Sequence, residues 1–311
     1  MIKVENLKKR YGRYEALKSI SFEVEKGSVF GFIGRNGAGK TTTMNILAGL
    51  LRFDGGRIFF NEKDFKKEKN QVMKLIGYLP ETPSFYNYMN SYEYLSFIGG
   101  ILGTDTKDLN KKVSDLLGLT RLTKKQAKRR IGGYSRGMKQ RLALAVALMN
   151  KPEILLMDEP ASALDPEGRL EMLELIEELK DENITIFLST HILNDAERVC
   201  NKICIIDEGK ILIDKDLAEL KRDYIQPIFD IEFEKDPSGQ INIFKNLNWV
   251  QNIKTNGKIL SIYVSDIEKA KKQVIKELSE MIHVNNIISY QIRKSTLEDI
   301  FIRMVNKNGL V

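Results

Sequence analysis

The sequence predicts an α/β domain with a mainly parallel sheet, interrupted by a helical insertion and followed by a small α+β domain. Three observations predict it. Short apolar runs alternate with helical patterns through about residue 220. A glycine-rich turn near Gly34 joins an apolar run directly to a helical one. From about Tyr224 the pattern changes to half-buried alternation. The expected boundaries are residues 1–220, with the insertion at about 82–150, and residues 225–311.

Val29-Phe30-Gly31-Phe32-Ile33 reads as a buried strand, and a helix follows from about Lys40 to Ala48. Ile154 to Met157 and Ile184 to Leu188 are continuous apolar runs, as strands buried on both faces require. Between them Leu170, Leu173, Leu175, Ile176 and Leu179 fall at helical spacing among acids, which completes a βαβ unit. The insertion is helix-patterned and rich in aromatics (Phe85, Tyr86, Tyr88, Tyr92, Tyr94 and Phe97). Asn90 with Glu93 three positions on marks a helix start. In the second domain Phe229 to Phe233 alternates like a strand, and Asn256-Gly257 signals a hairpin. Ile267 to Met281 is a basic amphipathic helix, and Ile287 to Ile292 reads as a strand. Ser295-Thr296-Leu297-Glu298 forms a capping box ahead of Ile300, Phe301, Met304 and Val305. A ferredoxin-like arrangement accommodates that order.

An apolar fraction of 42% with 29% charged residues suits a globular protein. The longest apolar candidate, Leu142 to Met149, is far short of the roughly 20 residues that cross a bilayer. Met1-Ile2-Lys3-Val4-Glu5 lacks the apolar block of a secretory signal. The expectation is a cytosolic chain that meets a membrane through a partner or at its surface. Cys200 and Cys204 have no histidine at ligand spacing and read as reduced, buried thiols. The formal charge is +7, and its densest run, Lys124 to Arg130, has no interleaved aromatics on which bases could stack. A solvated surface tolerant of an anionic leaflet is the expectation, and no nucleic-acid partner.

Three constellations carry chemistry. Gly34-Arg35-Asn36-Gly37-Ala38-Gly39-Lys40-Thr41 matches G-x-x-x-x-G-K-[ST] between a strand and a helix. Its glycines let successive backbone N–H groups close around an anion, and the helix adds the positive end of its dipole. Lys40 can reach the β- and γ-phosphates of a nucleoside triphosphate, and the Thr41 hydroxyl can ligate Mg²⁺. The Ile154–Glu159 strand ends in two acids. Asp158 is placed to hold the Mg²⁺ shell, and Glu159, one step further out, to polarise the attacking water. Tyr134-Ser135-Arg136-Gly137-Met138 opens a helix in which Ser135 is a cap and Gly137 leaves the backbone uncovered. One triphosphate already has a cradle, so a second anion-accepting helix tip suggests a nucleotide shared between two copies.

In these residues and their order, residues 1–220 resemble the ABC (ATP-binding cassette) ATPases. That family has a P-loop NTPase (RecA-like) core with an inserted helical subdomain. The resemblance implies that Tyr11 stacks on adenine and that Gly34 to Thr42, Thr42 included, cradle the phosphates of ATP. It implies that Ser135 and Gly137 contact the γ-phosphate bound by the opposite subunit. It places Ser162-Ala163-Leu164-Asp165 at the dimer seam and makes His191 a sensor of the γ-phosphate. Glu81 stands where the family usually has glutamine, near the metal-bound water, and Arg136 where it usually has glycine. Both departures, with the C-terminal segment Leu297-Glu298-Asp299-Ile300-Phe301, resemble exporter ATPases of the antibiotic-resistance and sodium-extrusion type. The implied partners are a second copy, or a related ATPase subunit, and a separate integral membrane permease. The implied location is the inner face of the cell membrane. Family members that act on ribosomes carry two cassettes per chain, and those that act on chromosomes a long coiled coil before the signature. Neither is present here. Glu159, His191 and Asp165 are all present, so nothing suggests a regulator that has lost hydrolysis.

Overall fold

The computed structural model of the chain describes residues 1–162, 164–224, 227–237, 241–245, 247–281, 287–294, 296–297 and 299. It divides into two units, Met1–Leu217 and Ala218–Val311.

The first unit opens with β1 (Ile2–Tyr11), β2 (Tyr14–Val24) and β3 (Val29–Ile33), followed by α1 (Lys40–Leu47). Next come β4 (Gly55–Phe60), β5 (Lys63–Asp64), α2 (Lys69–Met73) and β6 (Ile76–Leu79). The helical insertion holds α3 (Ser91–Ile101), α4 (Thr106–Leu119), α5 (Lys124–Ala127) and α6 (Arg136–Leu148). The chain returns to the sheet with β7 (Ile154–Asp158), α7 (Pro166–Asp181), β8 (Thr185–Thr190) and α8 (Leu193–Val199). It ends with β9 (Lys202–Asp207) and β10 (Lys210–Asp216), and α9 (Leu217–Tyr224) then leads into the second unit.

The principal sheet has the order β10-β9-β3-β8-β7-β6. Its strands run parallel except for β10, which returns antiparallel on β9. Every residue of β3, β7 and β8 is buried, as their apolar cores require, and the polar Asp158, Thr185, Ser189 and Thr190 at the strand ends are buried with them. A second sheet, β2-β1-β4-β5, is antiparallel and was not anticipated from the sequence. In β1 the reason lies at Asn6, whose φ of 48° breaks the pleat. Ile2 and Val4 are buried on even positions, whereas Leu7 and Lys9 are buried on odd ones after the register shift. A phase slip of one residue hides period-two alternation. The two sheets meet through Phe22 of β2, whose ring lies 5.4–5.7 Å from those of Phe30, Phe32 and Phe187. Each such ring, fully buried, contributes about 1.5–3 kcal/mol.

In the insertion, α3 begins with the expected reciprocal cap. Asn90 Oδ1 accepts from the Glu93 N–H at 3.0 Å, and Glu93 Oε2 from the Asn90 N–H at 2.8 Å. Cys200 and Cys204 are free and buried, and burial pushes both thiols up. Neither serves as a thiolate ligand or nucleophile.

The second unit contains β11 (Pro227–Phe233), α10 (Ile241–Lys245), β12 (Val250–Asn256), β13 (Ile259–Val264), α11 (Ile267–Met281) and β14 (Ile287–Lys294). The βαββαβ order with the antiparallel sheet β12-β13-β11-β14 is the ferredoxin-like topology. Phe229, Ile231, Phe233, Phe244, Trp249 and Leu260 form its core. Gly257, with φ 57°, makes the β12–β13 hairpin turn. Arg293 donates to Asp230 at 2.6 Å and to Asp299 at 2.5 Å. Burial alone would raise the Asp299 carboxyl, but Arg293, Tyr263 and the Thr296 N–H hold it at about 2. Ser295, Glu298 and the segment 300–311, on which the expected capping box and final helix fall, lie outside the described residues. Thr296 and Asp299 do form a reciprocal pair: the Thr296 N–H donates to Asp299 Oδ2 at 2.9 Å, and the Asp299 N–H to Thr296 Oγ1 at 3.3 Å.

Candidate functional site

A cleft of about 420 Å³ opens beyond the carboxyl ends of the parallel strands. It is lined by Tyr11, Tyr14 and Ala16, by Arg35, Asn36, Gly37, Gly39, Lys40, Thr41 and Thr42 of the loop and helix start, and by Glu81, Glu159 and His191. The fold delivers these groups because β3, β6, β7 and β8 all end there.

The loop after β3 is shaped by its glycines. Gly39, the N-cap of α1, has φ 114°, and a Cβ on it would lie 2.8 Å from Leu17 and 3.0 Å from the Ala16 carbonyl. A Cβ on Gly34 would meet the Ile206 carbonyl at 2.4 Å. Ala38 is packed in the core beneath the loop, so Gly34 and Ala38 shape the cradle from below. α1 has no acidic side chain in its first turn and no side-chain cap, which leaves its N-terminal N–H groups for an anion.

Lys40 and Glu159 form the electrostatic centre. Both are almost fully enclosed, with side chains 5% and 6% exposed, and the ammonium lies 3.2 Å from Glu159 Oε1. That approach lacks hydrogen-bond alignment. Lys40 Nζ instead donates to the carbonyls of Gly34 at 2.8 Å and Arg35 at 3.3 Å. Glu159 Oε2 is 2.9 Å from His191 Nδ1. A carboxylate can only accept, so His191 Nδ1 is the donor in this contact. Glu159 occupies the left-handed region at φ 48°, and its N–H donates to the Ser189 carbonyl and hydroxyl, both at 3.1 Å. The sheet's neighbouring strand thus fixes a strained residue at the site.

Asp158 sits one layer deeper and does not line the cleft. Burial raises its carboxyl, the Ser189 hydroxyl bound at 2.5 Å opposes that, and the charges of Glu159 and Glu81 push it up further. The Tyr78 phenol beside these acids is pushed up to about 12, chiefly by burial. Three carboxylates, Glu81, Asp158 and Glu159, thus converge with one lysine, an excess of negative charge built from hard oxygen donors. No group of three or more His, Cys, Asp or Glu residues among the described residues could hold a metal alone. Mg²⁺ does not need one, because it takes one or two protein ligands with substrate phosphates and water. The donor set fits it.

Ser135, Gly137 and Asp165 lie outside the cleft lining. Ser135 caps α6, its hydroxyl accepting from the Met138 N–H at 3.3 Å. Asp165 caps α7, accepting from the Gly168 N–H at 3.0 Å. Within one chain these are helix caps. Ala163, between Glu159 and Asp165, is outside the described residues. Tyr14, Ala16 and Ser189 are site residues that the sequence reading missed. Gly12-Arg13 forms a two-residue turn that pairs Tyr11 with Tyr14 across the hairpin, and a glycine one step after an aromatic was the available signal.

Comparison with known proteins decides the family. Residues 17–162 match the ABC transporter family, and residues 216–305 the C-terminal domain of DrrA1-3-like ATP-binding proteins. The chain is 37% identical to the uncharacterised ABC transporter ATP-binding protein YxlF of Bacillus subtilis, over 98% of this chain and all of that one. The chain belongs to the ABC transporter ATP-binding family. Another member, the bacitracin transport ATP-binding protein BcrA of Bacillus licheniformis, is 40% identical over 71% of this chain and 72% of its own. Among solved structures, cbiO1 of Clostridium perfringens, part of the ABC transporter complex cbiONQ, superimposes with a TM-score of 0.64 at 28% identity. That match covers 71% of this chain and 90% of cbiO1. The protein is therefore the ATP-binding, ATP-hydrolysing subunit of an ABC transporter, with the P-loop core that its residues predicted.

Proposed function

We propose that two copies of this ATPase subunit close around shared ATP beneath a separate membrane permease and power export. One observation carries the reading. The cleft gathers a phosphate loop, an aromatic wall, Glu159 and His191, while the second anion-accepting tip, at Ser135 and Gly137, lies outside its lining. A second copy supplies that tip. In each site Tyr11 and Tyr14 stack on the base, and the Gly34–Thr42 loop and Lys40 hold the phosphates. The Thr41 hydroxyl, Asp158 and Glu81 are the groups that would hold Mg²⁺ and its water. When bound, that ion neutralises phosphate charge. Glu159 takes the proton of the attacking water, and His191, braced on Glu159, meets the γ-phosphate. In the closed pair Asp165 lies at the seam.

Export is supported by relatives whose names record bacitracin transport, lantibiotic transport and linearmycin resistance. No helix among the described residues is long and apolar enough to cross a membrane. On this reading the pathway belongs to a partner, with the ATPase at the inner face of the membrane. Its docking surface is the aromatic group of the insertion. Tyr88 is 67%, Tyr86 48% and Phe97 41% exposed, with Tyr86 at the centre of ring contacts to Tyr88, Tyr94 and Phe97. Exposed aromatics packed on one another are the composition of an interface core. On this reading the C-terminal ferredoxin-like unit is a separate accessory domain joined near residue 217.

Affinity purification from solubilised membranes tests the partner. The wild-type chain should recover one integral membrane protein, and Tyr86→Ser with Tyr88→Ser should lose it. Recovery of ribosomes or RNA in its place would return the reading to the soluble, nucleic-acid class.

A further inference from the structure

The charge of this chain is not spread evenly. Between Asp115 and Glu153 lie ten Lys or Arg residues and no Asp or Glu. The whole chain carries only +7, so everything outside that stretch is net acidic. Arg121 and Arg141 of the ten pair with glutamates of α7. Lys124, Lys125, Lys128, Arg129 and Arg130 do not. All five are exposed, on α5 and the link that follows it. Among the described residues none has an ion-pair partner, and Arg129 Nη2 reaches only the Gly133 carbonyl, at 3.1 Å. Five cations in seven residues repel one another, and an anionic surface relieves that repulsion.

The backbone fixes where this run lies. Arg130 bridges to Asn90, the Ile131 N–H donates to the Met89 carbonyl at 2.8 Å, and the Gly132 N–H to the Asn87 carbonyl at 3.0 Å. The basic run is thereby stitched beside the segment that carries Tyr86 and Tyr88. Exposed tyrosines flanked by lysine and arginine are the composition of a membrane–water interface. A nucleic acid is the less suitable partner. No aromatic lies within residues 121–133, and the Tyr86 and Tyr88 rings already stack on each other at 5.8 Å.

We propose that residues 124–130 are a contact for anionic phospholipid headgroups at the membrane surface beside the permease. That the run faces the membrane rests on the permease reading, but its affinity for lipid does not require the permease. The contact orients the ATPase subunit on the leaflet before or while it is docked.

Vesicle co-sedimentation of the purified full-length chain tests this, with no permease present. The chain should sediment with vesicles of equal parts phosphatidylcholine and phosphatidylglycerol and not with phosphatidylcholine alone. Binding should be lost at about 0.5 M salt, where the screening length falls to about 4 Å. Lys124→Gln, Lys125→Gln and Lys128→Gln together should weaken it about a hundredfold, at about 1 kcal/mol for each cation near an anionic surface. A control of equal net charge, Lys26→Gln, Lys67→Gln and Lys210→Gln, should bind like wild type. Equal binding to both vesicle types, or equal loss in the control, overturns the proposal. So does an RNA oligonucleotide that competes the chain off the vesicles and binds the control but not the patch variant. Because no permease enters this assay, its failure leaves the co-purification result untouched.

Discussion

Glu159→Gln leaves ATP bound and stops its hydrolysis. The expected loss of turnover is about 10²- to 10⁴-fold, the worth of a positioned general base. The geometry requires the two effects to separate. Glu159 contributes nothing to the phosphate cradle, which consists of backbone N–H groups, Lys40 and the start of α1. It does compete for Lys40, which lies 3.2 Å from its carboxylate in the nucleotide-free chain. Amidation removes that competitor, while the Gly34 and Arg35 carbonyls still hold the ammonium. The dissociation constant for ATP should therefore stay level or fall. Steady-state phosphate release and equilibrium binding of a fluorescent ATP analogue read the two quantities. Undiminished hydrolysis removes Glu159 from the base role, and a large loss of binding removes it from the position described.

Lys40→Ala acts on the other partner and gives the opposite pattern. ATP affinity should fall roughly a hundredfold, the worth of charge-assisted contacts to phosphate. Stability should fall as well, because the substitution leaves the Glu159 carboxylate enclosed beside Asp158 without its cation. Removing one partner of a buried pair costs about 3–5 kcal/mol. The double variant Lys40→Ala with Glu159→Gln distinguishes the two losses. It should recover most of the melting temperature and none of the ATP affinity, because the pair is coupled in folding but only Lys40 holds phosphate. Thermal unfolding without nucleotide, alongside ATP titration, provides the check. A double variant as unstable as Lys40→Ala alone would show that the ion pair does not hold the nucleotide-free site together.

The proposed phosphate-binding groups were legible in the sequence because their pattern is local. Gly34 to Thr42 are nine consecutive residues, and Asp158 and Glu159 end one continuous apolar strand. Caps were legible for the same reason, as Asn90 with Glu93 and Ser135 show. What failed was long-range or out of phase. Strand β1 of the antiparallel sheet was hidden by the register slip at Asn6, which shifts burial from even to odd positions. Ser189 has no signal of its own in the sequence. Its hydroxyl holds Asp158 and the Glu159 N–H across 30 residues of chain, a relation that exists only once β7 and β8 pair. Asp165 shows the reverse. Its cap on α7 is evident in the single chain, whereas its place at a dimer seam depends on a second molecule.

The central claim is that the tip of α6 completes a nucleotide held by another copy. Gly137 allows a direct test, because a Cβ there meets only Leu164 Cδ2, at 3.9 Å. Gly137→Asp should therefore fold normally yet place a carboxylate where a partner's γ-phosphate must sit. The measurement is sedimentation velocity with Mg-ATP in a Glu159→Gln background. The account predicts an ATP-dependent dimer for Glu159→Gln, and an ATP-loaded monomer once Gly137→Asp is added. A dimer of equal strength in both proteins would contradict it.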